Sequence, residues 1–141
     1  MDDSDLLYKH SQTVPQVGWV IFDEGDGSYR VQSGAFQIHD DGISCYQHSV
    51  LLANALDWRA VKRADDNGVF QIEVRDVRGI GFGVTPDPNP PYIPPAELHP
   101  RDVAHALMVP PEGMGRGEKD RARRSLAKAS KIIHPGHPLP A

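Results

Sequence analysis

Seven of the chain's thirteen prolines lie between Thr85 and Pro100, in the run TPDPNPPYIPPAELHP. Proline fixes its own φ and has no N–H to donate, so this segment can be neither a helix nor an inner strand. It should cross the surface as an extended connector, residues 85–100, with Tyr92 and Ile93 as anchors. A connector of that length is either functional or mobile. The rest of the fold must be built from what precedes it and from the shorter stretch that follows.

Before the connector the β signals dominate. VGWVIF (17–22) is apolar and β-prone, EGDG (24–27) supplies turn residues, and YRVQSGAFQI (29–38) is a second such run broken at Gly34, which together read as a hairpin. Residues 1–15 lack sustained periodicity and end at Pro15, so they read as a flexible arm with a short helical turn near Leu6 and Leu7. Asp41-Gly42 is a turn signal, and Ser44 followed by Gln47 matches a capping box. A helix is therefore expected from about Cys45 to Arg63, either continuous or broken at Asp57, with His48, Leu51, Leu52 and Ala55 on one face. GVFQIEVRDV (68–77) reads as a strand, and GIGFGV (79–84) as a further short or bulged one.

After the connector, AHALMV (104–109) is apolar and bounded by prolines, which favours a buried strand. Residues 117–133 carry the clearest helical pattern: Ala122, Leu126, Ala129 and Ile133 form one stripe, and Arg121, Arg124, Lys128 and Lys131 the opposite one. Pro135 ends it, leaving 134–141 as a tail.

Strands and helices that do not alternate argue against a doubly wound parallel sheet. The fold class expected is α+β, one domain over 16–133, with a small mixed or mainly antiparallel sheet packed on two main helices. Its core should contain Trp19, Ile21, Phe36, Leu52, Leu56, Ile72, Val74, Phe82 and Leu107, with Trp58 half-buried.

Charge is unevenly distributed. Arg116–Lys131 holds seven of the fifteen basic residues and two of the nineteen acids, a net +5 in a chain whose total is -4. Such asymmetry points to an anionic partner, or to a basic helix lying on its own acidic domain. Four cations on one helix face could contact phosphates, but no Phe, Tyr or Trp lies beyond residue 93 to stack on bases.

Chemical signatures are few. His99 and His105 bracket Asp102, yet their spacing matches no zinc motif, and Cys45 is the single cysteine. Gly79, Gly81 and Gly83 form G-x-G-x-G without a following helix, so they are not a phosphate loop. DEGDG has glycine where a calcium loop needs oxygen ligands. No cofactor or metal is expected. Cys45 has no identifiable partner and reads as a buried or inert thiol.

SGAFQ (33–37), DGISCYQ (41–47) and AHALMVP (104–110), followed by a basic LAKASKII segment, resemble in their order a group of small uncharacterised bacterial proteins. The resemblance covers the chain from about Ser33 onward. It implies a bacterial source and a single folding unit, and it brings no activity and no functional residue.

The leading functional expectation is a non-enzymatic binding or adaptor module for a protein partner, with Arg121, Arg124, Lys128, Lys131 and Tyr92 as contact residues and nucleic acid as a second candidate ligand. The alternative is a small enzyme on a phosphodiester or nucleotide, with a histidine pair drawn from His39, His48, His99 and His105, and Arg30 as the cation. The acidic N-terminus, the lack of a membrane-spanning run and the lone cysteine place the protein in the cytoplasm, with no membrane partner. The oligomeric state is left open.

Overall fold

The computed structural model describes residues 1–10, 20–62, 68–88, 94–136 and 139–140. In chain order the strands are β1 (Leu6–His10), β2 (Val20–Asp23), β3 (Ser28–Val31), β4 (Ile43–Gln47), β5 (Val69–Glu73), β6 (Gly83–Pro86), β7 (His105–Val109), β8 (Lys131–His134) and β9 (Leu139–Pro140). The α-helices are α1 (His48–Ala53), α2 (Val74–Gly79), α3 (Pro100–Val103) and α4 (Arg116–Ala129). Six strands make one antiparallel sheet in the order β6-β7-β4-β1-β5-β8, and three make a second in the order β3-β2-β9. The fold is α+β, as the sequence indicates. Among the described residues no helix is long and apolar enough to cross a membrane.

The large sheet is apolar on both faces because its inner strands alternate between two covers. On β1 and β5, Leu7, Phe70 and Ile72 point to the face closed by α4, Phe36 and the small sheet, where Ile43, Cys45, Met108 and Leu126 also pack. Tyr8 and Val69 point to the other face and meet Tyr46, Leu51, Val61 and Ala104. Strand side chains alternate by two, so each strand serves both layers.

Several expectations are corrected. The segment read as a flexible arm contains β1, which lies between β4 and β5 and pairs with both. The helix expected from Cys45 is shorter and later: Ile43–Gln47 is a strand, α1 covers six residues, and Trp58–Val61 is a 3-10 turn. Gln47 is the N-cap of α1 but its side chain makes no capping bond, and Ser44 bonds elsewhere. Leu52, expected in the core, is 62% exposed, because so short a helix turns only Leu51 inward. The 68–77 strand stops at Glu73 and continues as α2. The C-terminal helix ends at Ala129, where Ser130 adopts an extended backbone, and Ile132 and Ile133 belong to β8 beside β5. Leu139–Pro140, placed in the tail, pairs with β2.

The connector is more structured than its prolines suggest. Thr85 and Pro86 complete β6, an edge strand where a missing N–H is tolerated, and Pro100 opens α3 at its first position. The hairpin of β2 and β3, the buried strand β7 and the start of α4 stand as read. Ile21, Phe36, Ile72, Val74, Phe82 and Leu107 are buried, with Leu56 and Trp58 partly so. Trp19 and Tyr92 lie outside the described residues.

Candidate functional site

α4 turns Ala122, Leu126 and Ala127 into the core and leaves Arg121, Arg124 and Lys128 exposed on its outer side. Lys131, expected on the same helix stripe, is exposed at the start of β8 instead. Arg123 is tied to Asp120 one turn earlier on the helix, at 2.5 Å. The packing of α4 beside the small sheet opens a groove of about 860 Å³ between the outer strand β3 and the last turns of the helix. Arg30 from β3 faces Arg124 and Lys128 from α4 across it, over a floor that includes Val31, Ala127 and Ile132. Ser28, Gln32, Ser33 and Ser130 add hydrogen-bonding groups, and among the described residues no acidic one lines the space.

That arrangement suits an anionic ligand. Guanidinium groups offer paired N–H donors that match carboxylate and phosphate oxygens, and the lysine adds a compact positive charge. Arg30 was singled out in sequence as the cation of an enzyme, and the structure joins it to the basic helix.

The histidines have separate surroundings. His39 is exposed at a turn bridged to Gly42, and His99 is exposed at the N-cap of α3, where its Nδ1 accepts from the Arg101 backbone N–H at 3.1 Å. His48 opens α1, with Nδ1 2.9 Å from the Tyr8 hydroxyl. His105 is buried on β7 and bonded to Ser44 and Asp87. Arg30 stands on the other sheet. The cleft of two histidines and an arginine that a phosphodiester enzyme would need is therefore not formed by these five residues. Among the described residues no three His, Cys, Asp or Glu side chains are placed to hold a metal ion.

Sequence reasoning missed the partners of His105. Its Nε2 is 3.0 Å from Ser44 Oγ, and its Nδ1 is 2.7 Å from the Asp87 carbonyl oxygen and 3.2 Å from the Asp87 carboxylate. Ser44 was read as a helix cap and Asp87 as part of a proline connector. Only the pairing of β4 with β7 and of β6 with β7 brings the three together, and no local pattern encodes it. Cys45, on the opposite face of β4, is fully buried, and burial pushes its thiol up to about 12.

Fold and groove together define an α+β protein with an antiparallel sheet, a flanking basic helix and a cationic cleft beside that helix. Comparison with protein-family models, curated proteins and solved structures found no match for the chain.

Proposed function

We propose that the groove between β3 and α4 makes this protein a binding or adaptor module, a non-enzymatic site that receives an acidic, extended segment of a protein partner. The observation that carries the reading is a groove of about 860 Å³ lined by Arg30, Arg124 and Lys128, with no acidic residue among the described residues of its wall. A cleft of this size matches ordinary ligand sites. Its mixture of cations, hydroxyls and apolar floor suits a peptide that alternates carboxylates with apolar side chains. A nucleic acid would find phosphate contacts there but, among the described residues, only one ring, Tyr29, for its bases.

Nucleic acid remains the second reading, favoured by Arg121 and Lys131, which extend the positive surface beyond the groove. A cytoplasmic setting belongs to the same proposal, since the single cysteine is buried and the fold draws nothing from an oxidising compartment.

Fluorescence anisotropy distinguishes the readings. A labelled peptide alternating Glu and Leu should bind, more weakly at higher salt, and the triple reversal Arg30→Glu, Arg124→Glu, Lys128→Glu should remove binding without unfolding the protein. Labelled DNA and RNA run beside it. Binding of nucleic acid alone would transfer the groove to the second reading, and binding of neither would end both.

A further inference from the structure

The geometry points to a second site on the large sheet: Ser44 is a nucleophile with His105 as its general base and Asp87 as the residue that orients the base, suited to acyl transfer from activated esters. β4 and β7 are antiparallel neighbours with Tyr46 opposite His105 and Ser44 opposite Leu107. Ser44, Tyr46 and His105 therefore project from one face, with Ser44 diagonal to the histidine, a separation that a long ring can bridge. The imidazole does so, at 3.0 Å from Nε2 to Oγ.

The tautomer follows from the partners. A backbone carbonyl can only accept, so the 2.7 Å contact with the Asp87 oxygen puts a hydrogen on Nδ1. In the neutral ring Nε2 is then an acceptor, and the Ser44 hydroxyl must donate to it. This is the protonation state that a histidine base needs beside a serine nucleophile. The Asp87 carboxylate, 3.2 Å from the same Nδ1, supplies a second acceptor where the neutral ring has one hydrogen to give. That surplus of negative charge is best used when His105 becomes positive, which happens when it takes the serine proton.

The assembly is held in place. His105 is 5% exposed and packs edge-on against Tyr46, with ring centroids 5.4 Å apart. The Asp87 backbone N–H donates to the His105 carbonyl at 2.9 Å, which fixes the carboxylate beside the ring. Ser44 is half-buried, less enclosed than the strand residues on either side of it.

In the reaction Ser44 Oγ adds to the ester carbonyl carbon while its proton passes to His105 Nε2. The tetrahedral adduct collapses, the C–O bond to the alcohol breaks, and Nε2 returns the proton to the departing alkoxide. Water then adds to the acyl-serine, giving a proton to Nε2, and the acid leaves as that proton returns to Ser44. Ester and water become acid and alcohol. β4 is an inner strand whose backbone donors serve its neighbours, unlike the sharp strand-to-helix turn that exposes free donors near a nucleophile. Carbonyls already activated by a good leaving group, as in aryl esters, are accordingly the substrate class.

The test uses the full chain with a fluorophosphonate probe and p-nitrophenyl acetate. Phosphonylation should map to Ser44 by peptide mass spectrometry and disappear in Ser44→Ala. His105→Gln, which keeps a hydrogen-bonding side chain without a base, should slow labelling about 100-fold or more. If His105→Gln fails to fold, Asp87→Asn carries the test, since that carboxylate is 37% exposed and its loss should slow labelling while leaving thermal unfolding unchanged. The inference is overturned if the folded protein neither reacts with the probe nor hydrolyses the ester, if the label sits elsewhere, or if labelling of Ser44 is indifferent to both changes. None of these outcomes depends on the groove.

Discussion

On the α4-facing side of β1, Lys9 is 9% exposed, and the register of β1 against β4 continues to set it beside Cys45. Burial pushes its ammonium from 10.5 down to about 8, with Cys45 acting weakly in the opposite direction. At neutral pH both the folded and the unfolded lysine are protonated, so the folded chain bears the whole cost of a desolvated cation. Between about 8 and 10.5 the unfolded state holds a proton that the folded state has released, and stability rises with pH through that window. The shift corresponds to about 3 kcal/mol at most, at ~1.4 kcal/mol per pH unit. Lys9→Met should therefore stabilise the protein at pH 7 by no more than that amount, and urea unfolding at pH 7 and 9.5 should show the advantage shrinking. A difference independent of pH would contradict the assignment. Gly42 is the residue where geometry is least forgiving: φ is +127°, and an added Cβ would stand 2.5 Å from the Met108 carbonyl oxygen. Gly42→Ala should cost about 3 kcal/mol in the same experiment, from backbone strain and overpacking combined. The turn at Asp41-Gly42 was legible in sequence, but the contact that forbids any side chain was not, because it comes from a strand more than sixty residues later.

Among the elements, those whose identity is set locally were readable and those set by tertiary partners were not. β7 is an apolar run between prolines, and α4 carries its own period through Leu126, so both are visible in the chain. The capping-box match of Ser44 and Gln47 makes the later part of β4 read as a helix start, and Lys131 and Ile133 make most of β8 read as a continuation of the basic helix. What decides β4 is its place between β7 and β1, and the Ser44 hydroxyl that a local cap would have used is held by His105, 61 residues away. β8 begins where Ser130 turns extended and its hydroxyl bonds back to the Ala127 carbonyl, after which Ile132 pairs with Phe70. The same logic separates the two sides of α4. Leu126, 1% exposed, anchors the helix on the sheet, so Leu126→Ala should cost about 3 kcal/mol by loss of buried surface and an unfilled cavity. Arg121→Ala, on the outer side, should change chemical-denaturation stability by less than about 0.5 kcal/mol. Equal losses from the two substitutions would mean that the basic side is docked on something. The candidate sites divide in the same manner: the helix half of the groove was legible from a charge stripe, whereas Arg30's position opposite it required the β2–β3 hairpin to pack beside α4.

For the molecule as a whole, the order of strands fixes which ends of the chain are dispensable. β1 is inside the six-stranded sheet, hydrogen-bonded to β4 on one side and β5 on the other, and it contributes Leu7 to one core layer and Tyr8 to the other. Removing residues 1–10 would open two ladders at once and leave both layers without a wall, which no rearrangement of the remaining strands can repair without shifting their register. At the other end, a chain stopped after Met114 would lose α4 with Leu126 and also β8, the edge strand on β5. Such a truncation cannot serve as a binding control, and charge reversal on the exposed face of α4 is the proper one. The prediction is that deletion of residues 1–10 abolishes the cooperative thermal transition seen by near-UV circular dichroism. A dispensable arm, by contrast, would leave the midpoint within a degree or two of the full chain, and that result would require β1 to be replaced in the sheet by another segment. Because two cores share this one strand, the loss should be all-or-none: neither the groove beside α4 nor the Ser44–His105 pair on the opposite face should survive it, although residues 1–10 line neither the groove nor that pair.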